Sequence, residues 1–186
     1  YQTGEVDAAY VFADELQDIQ DPENPLSKEL TVYPALSLFF VAFSSDSPPF
    51  DDPNVRRAFA LAVDREKLVD DIFGDSREVA SGFLPPGMPG YDPDLSVLPF
   101  NPREARRLLE ESSYGSPERL PDIIYTAPGS TPSPVVLQLV KMWENNLGVE
   151  VQLRLLDPDL YYYQLSGHRD NLFEYGWIAD YPDPHN

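Results

Sequence analysis

Residues 122–156 read DIIYTAPGSTPSPVVLQLVKMWENNLGVEVQLRLL, and this stretch decides the fold. Asp122 to Thr126 is a short β-branched and aromatic run with strand character. Ser133-Pro134 then opens a helix, with Ser as N-cap and Pro in the first turn, where a missing N–H costs nothing. Val136, Leu139, Val140, Trp143 and Leu147 recur at the helical period and form one apolar stripe. Gly148 suits the left-handed residue that ends a helix. The following VEVQLRLL alternates as a strand should. Strand, helix and strand at this spacing predict a βαβ unit with parallel strands and a right-handed crossover. Trp143 lies on the helix stripe, so it is expected in the core and not as a platform for ligands.

Upstream, the eight residues LSLFFVAF (36–43) are apolar almost throughout and read as a strand buried on both faces. A further short strand is expected near Val6, followed by a polar, proline-spaced stretch through Asp21, Pro22 and Pro25. Asp52-Pro53 starts a helix whose stripe is Val55, Ala58, Phe59 and Ala62. Asp64 caps a second helix carrying Leu68, Val69, Ile72 and Phe73, closed by Gly74. The segment FLPPGMPGYDPDL (83–95) is too rich in Pro and Gly for regular structure. Asn101-Pro102 opens another helix, with Glu104 placed as the acid of a capping box and Ala105, Leu108 and Leu109 on its buried side. Downstream, Asp157-Pro158 begins a short helix with Leu160, Tyr161 and Leu165, and LFEYGWIADY (172–181) is a last strand running into a loop. The elements add up to an α/β fold, a mixed β-sheet flanked by helices, with residues 1–186 read as a single domain.

Composition narrows the function. Apolar residues make up 42% and aromatics 12% of the 186 residues, enough to build a core and to exclude a disordered chain. The formal net charge of −19 repels phosphate backbones, so nucleic acid is not expected as a partner; the acidity either enriches cationic ligands near a cleft or serves solubility alone. Cysteine is absent, which removes disulfides, thiolate nucleophiles and Cys-ligated zinc. No apolar run approaches the ~20 residues of a membrane helix.

Three carboxylate pairs invite a catalytic or calcium reading: Asp92 with Asp94, Asp157 with Asp159, and Asp180 with Asp183. Each is interrupted by Pro, and Asp is a common turn and cap residue, so structural roles are expected. His168 and His185 stand apart, His168 as an exposed loop residue, and neither HExxH nor GxSxG occurs. No catalytic residue, metal ligand or cofactor is assigned. The last strand is different. Tyr175 and Trp177 alternate along it, and Asp180 and Tyr181 follow its carboxyl end, where open α/β sheets gather ligands. An indole, a carboxylate and phenols placed there suit an amphipathic ligand with a positive charge.

Three stretches, in order, resemble the peptide/oligopeptide solute-binding family of ABC importers (family 5), which also includes dipeptide and nickel binders. They are PPFDDPNVRRAFALAVDREKLVDDIF (48–73), LPPGMPGYDPDL with FNPREARRLLEESSYG (84–95 and 100–115), and WENNLGVEVQLRLLD with GWIADYPDP (143–157 and 176–184). The resemblance implies one lobe of a two-lobed, type II periplasmic-binding-protein-like fold. It also implies that residues 1–186 are the second lobe of a longer protein, with GEVDAAYVF (4–12) as the crossing into it and DYPDPHN (180–186) near the return. Tyr1 and Asn186 should then lie on one side of the lobe. Implied with it are capture of a peptide, or of a related solute such as a sugar or nickel complex, delivery to a membrane permease, an extracytoplasmic location, periplasmic or as a lipoprotein, a monomer, and no enzymatic activity. The rival from another class is an acidic hydrolase. In peptide-binding members a Trp-x-x-Asp segment faces the cleft and its Asp meets the peptide's α-ammonium. Trp177 and Asp180 match that pattern, with Tyr175 and Tyr181 beside them. Two positions depart from it: Glu174 is acidic where some members carry a base, and Ser44 stands where many have Asn.

Overall fold

The computed structural model describes residues 1–186 apart from Phe12, Pro34, Ser96, Val97, His168 and Asn186, and residues 13 and 14 by their backbone only. The readings of His168 and of the Asn186 end lie outside the described residues. Where the sequence is read as one domain, the chain forms two compact units, 1–34 and 35–186.

The first unit contains helix α1 (Ala13–Gln20) and a 3-10 turn, Pro25–Lys28, capped by the Asn24 side chain accepting from the Leu26 amide. The strand expected near Val6 is not there: residues 1–11 form turns and irregular backbone, and Val6 is exposed. An isolated extended segment gains nothing without a ladder partner. Helix α1 falls where a polar loop was expected. Its sequence, ADELQDIQ, does place Leu16 and Ile19 three apart, and both are half-buried.

The second unit is built on a four-stranded mixed sheet in the order β1-β4-β2-β3. The strands are β1 (Ser37–Phe43), β2 (Ile123–Pro128), β3 (Val151–Leu156) and β4 (Leu172–Ile178). β2 runs parallel to both β3 and β4, and β1 runs antiparallel to β4. The parallel pair β2–β3 is joined by α5 (Pro134–Leu147), as the 122–156 stretch predicts. Ser133 accepts from the Val136 amide at its start, and Gly148 closes it in the left-handed conformation at φ 71°.

The helices expected from the Asp-Pro and Asn-Pro pairs and from the Asp64 cap form where read, though the Glu104 side chain pairs with Arg107 instead of closing a capping box. α2 (Pro53–Leu61) is capped by Asp52, α3 (Arg65–Phe73) by Asp64, α4 (Pro102–Glu110) by Asn101 and α6 (Pro158–Leu165) by Asp157. Asp52 does a second job. Its other carboxylate oxygen accepts from the Ser113 amide and hydroxyl at 2.7 and 2.8 Å, tying the start of α2 to the end of α4. Two of the carboxylate pairs are accounted for by turns: Asp92 accepts from the Asp94 amide and Asp157 from the Asp159 amide.

One sheet face packs on α2, α4 and α5 in the main core, which includes Phe50, Val55, Phe59, Leu109, Tyr125, Leu139, Trp143 and Leu172. The opposite face makes a smaller cluster in which Tyr161 and Leu165 of α6 cover Phe173. Trp143 is 2% exposed, stacks near Phe59 and Tyr125, and donates its Nε1–H to the Phe59 carbonyl at 3.0 Å. It is core, as its stripe position predicts. Burial is thinner at the margins of the sheet. Leu153 and Leu160 are exposed, because β3 is an edge strand and Leu160 points off α6 away from the sheet cluster. The residues of α3 are half-buried at most. β1 is not buried on both faces; it is the other edge of the sheet, half-buried, with Phe39 exposed.

Candidate functional site

The sheet is uneven, and the unevenness makes the site. β1 pairs with β4 along the whole of both strands, from Ser37 opposite Ile178 to Phe43 opposite Leu172. β2 pairs with β4 only at Tyr125–Leu172 and Thr126–Phe173. The outer half of β4 therefore continues as a two-stranded ribbon with β1, beyond the shelter of the sheet.

Successive side chains of a strand alternate between faces, so this ribbon has two surfaces. On one, Trp177 stands opposite Leu38 and Tyr175 opposite Phe40. The Phe40 and Tyr175 rings lie 5.8 Å apart, and Phe83 from the proline-glycine loop meets Phe40 edge-on at 5.6 Å. Trp177 and Tyr175 are 45% and 41% exposed, so a contiguous aromatic surface faces outward. Apolar surface of this kind in a folded protein marks a place for a ligand or partner. On the other surface the Phe39 ring lies against the backbone of Gly176: a Cβ there would sit 2.6 Å from the ring. The Arg77 guanidinium is held between the Phe39 and Phe73 rings, at 4.7 and 4.3 Å from their centroids.

β4 ends at Ile178, where the Ala179 amide donates to the Leu36 carbonyl at 2.8 Å. Gly87 of the proline-glycine loop lies near Leu36: a Cβ added there would come 3.5 Å from the Leu36 side chain. Asp180 and Tyr181 follow, both exposed, and the Asp183 amide folds back on the Tyr181 carbonyl at 2.8 Å. Of the four site residues expected from sequence, Tyr175 and Trp177 thus share one face of one strand, and Asp180 and Tyr181 lie just past its end.

The base of the ribbon is fixed by polar joints. The Asp170 side chain, 7% exposed, accepts from the Thr126 hydroxyl, from Gln164 and from Arg154 at 3.1 Å. Asn171 accepts from the Ile124 amide and donates to the Pro48 carbonyl, each at 2.7 Å. Ser44, one of the two departures from the family pattern, is buried; its hydroxyl donates to the Asp170 carbonyl and its amide to the Asn171 carbonyl. Glu174, the other departure, is half-buried and accepts from the Tyr125 hydroxyl at 3.1 Å. Burial pushes the Glu174 carboxyl above its ordinary pKa, and the Tyr125 bond pulls part of the way back. Burial likewise pushes the Tyr125 and Tyr161 hydroxyls far up, so both stay donors, Tyr161 to the Glu174 backbone carbonyl.

Sequence reasoning missed Leu38, Phe40 and Phe83. Reading β1 as an interior strand hid the first two, and Phe83 carried no periodic signal because it stands in a loop. An antiparallel pairing of LSLFFVAF with LFEYGWI would have placed Phe40 beside Tyr175.

The fold is mixed α/β, and the β1–β4 ribbon carries an exposed aromatic surface with Asp180 just past its end. The chain belongs to the bacterial extracellular solute-binding proteins, family 5, whose middle region matches residues 1–186. It is 29% identical over 168 residues to di/tripeptide-binding protein 2 of Pseudomonas aeruginosa, covering 90% of this chain and 31% of that protein. It is 28% identical over 187 residues to the peptide transport periplasmic protein SapA of Salmonella typhimurium, covering 98% of this chain and 33% of that one. The chain thus spans about a third of the length of these relatives. The Escherichia coli murein tripeptide binding protein MppA has the same fold, with a TM-score of 0.76 at 23% identity over 99% of this chain and 37% of that one. The mixed sheet flanked by helices is that of a type II periplasmic-binding-protein lobe.

Proposed function

We propose that residues 1–186 are the second lobe of a longer extracytoplasmic solute-binding protein, supplying one wall of a cleft that captures peptides for an ABC importer. The observation that carries this reading is the outward aromatic face of the β1–β4 ribbon, ending in exposed Asp180. Trp177 and Tyr175 present flat apolar surface that grips side chains of many shapes. Asp180 supplies the charge that an α-ammonium needs on leaving water, since desolvating an unpaired ammonium costs several kcal/mol. A second lobe closing over the ribbon excludes water and strengthens that pairing. The chain's net charge of −19 draws cationic ligands toward it. The peptide-binding relatives support the ligand class, and a membrane permease is the partner such a protein delivers to. The protein works by binding and release, without chemistry on its ligand.

The test is calorimetry on the full-length protein containing this segment. Asp180→Asn keeps shape and removes charge. Affinity for a peptide with a free amino terminus should fall by about 2–5 kcal/mol, the range for breaking a buried charge pair. N-acetylating the peptide should weaken wild-type binding comparably and matter little in the variant. If wild type and variant bind both peptides equally, Asp180 does not hold the ammonium.

A further inference from the structure

The aromatic surface of the ribbon has one member that comes from neither strand. Phe83 belongs to the proline-glycine loop, yet its ring packs edge-on against Phe40 on the face that carries Tyr175 and Trp177. It is 77% exposed, so this contact uses a small part of its surface and leaves the rest facing outward. A residue held this way gains little for the fold, because most of its apolar area stays in water. Further along, the loop backbone passes near Leu36, where a Cβ added at Gly87 would come within 3.5 Å of it. Gly87 has φ 89°, a conformation that Gly supplies freely. The loop therefore runs along the β1 side of the surface, from the level of Tyr175 to that of Ala179, whose amide bonds Leu36.

Building on the peptide-binding reading, we propose that Phe83 is a specificity-determining residue that receives an apolar side chain from the interior of the bound peptide. The occupant follows from charge and distance. Asp180 marks the end of the surface suited to a cation, and the ring surface behind it suits apolar groups. Phe83 lies level with Tyr175, five residues of chain back from Asp180, which is about 16 Å if fully extended. A peptide lying along the ribbon with its ammonium at Asp180 advances about 3.3 Å per residue. Its third to fifth residues therefore come level with Phe83, and a dipeptide stops short. Trp177 and Leu38 flank the first residues, and the Phe40 ring, with Tyr175 and Phe83 packed beside it at 5.8 and 5.6 Å, offers apolar surface to the later one.

The experiment is a positional scan on the full-length protein: a pentaalanine host with a free amino terminus, and five versions with one alanine replaced by leucine. Wild type should prefer leucine at one position between three and five by roughly tenfold, the scale of one well-buried anchor. Phe83→Ala should bring that preference close to unity, with a smaller loss for the host peptide and for leucine at position one than for leucine at the preferred position. Phe83→Leu, which keeps an apolar contact on Phe40, should retain most of the preference. A leucine profile unchanged in Phe83→Ala overturns the proposal. So does a uniform loss for every peptide, host included, in both variants, because that is the mark of a loop that has merely moved. If wild type binds di- or tripeptides but none of the pentapeptides, this proposal falls and the peptide reading stands; if it binds neither, both fall. If peptides bind but N-acetylation changes nothing, the role of Asp180 fails while the scan still decides that of Phe83.

Discussion

Replacing Trp143 by Phe isolates one hydrogen bond in the core. The indole Nε1–H donates to the Phe59 carbonyl in the last turn of α2, where helix carbonyls lack partners further along the chain. Two neighbouring carbonyls are met in the same manner, Ala62 by Asn146 of α5 at 2.8 Å and Leu61 by the Asn101 amide at 2.9 Å. Phe at 143 keeps a ring beside Phe59 and Tyr125 but is smaller than indole by roughly 40–50 Å², worth about 1 kcal/mol. Leaving a buried carbonyl without its donor adds about 1–3 kcal/mol. The expected loss is thus about 2–4 kcal/mol for Phe, against about 3–5 kcal/mol for truncation to Ala. Urea unfolding followed by far-ultraviolet circular dichroism measures both, with an unchanged slope as the check that only stability moved. Removing Trp143 leaves Trp177 as the single indole, so its fluorescence reports the site in the same sample. A loss below about 1 kcal/mol for Phe, with the full loss for Ala, would show that packing alone holds Trp143 and that the carbonyl finds water.

Gly176→Ala drives a methyl into the Phe39 ring, which must swing out and release Arg77, at a cost of roughly 1–3 kcal/mol. Phe39→Ala in the same chain should recover most of that loss, and additive losses in the double-mutant cycle would refute the contact. Glu174 is held above its ordinary pKa by burial, so the folded state binds its proton more readily than the unfolded one. Its contribution to stability is therefore most favourable at low pH and falls as pH rises from about 4.3 through the raised folded value. Glu174→Gln keeps an acceptor for Tyr125 without the charge, so it should be more stable than wild type at pH 7. The gap between their thermal midpoints should close toward pH 4, and a gap that is constant with pH would sink the argument.

The helices were legible because their signals are local. A capping Asp, Asn or Ser before Pro, followed by an apolar stripe, needs no knowledge of the rest of the chain, and α2, α4 and α5 begin where those pairs stand. The parallel pair β2–β3 was legible because its crossover is continuous in sequence. β1 was misread for the opposite reason. Its apolar residues serve the core through Val41 and Phe43 on one face and the aromatic surface through Leu38 and Phe40 on the other. An apolar run does not say whether protein or ligand will cover it. The same limit applies to the site. Tyr175, Trp177, Asp180 and Tyr181 lie close in sequence and were found together, whereas Phe40 and Phe83 join them only through pairings and loop contacts that span the chain.

The pairing of β1 with β4 also sets a timetable for synthesis. β1 leaves the ribosome well before β4, its one sheet partner among the described residues, about 130 residues further along. Until β4 emerges, Leu38, Phe39, Phe40 and Val41 wait as an unpaired apolar segment, the kind that aggregates or engages a chaperone. The helices and the β2–β3 pair draw on nearer contacts and can assemble in the meantime. The aromatic face is consequently the last part of the sheet to exist. A product cut short before residue 172 would keep most of the main core and lack the whole aromatic face that Tyr175 and Trp177 build on β1.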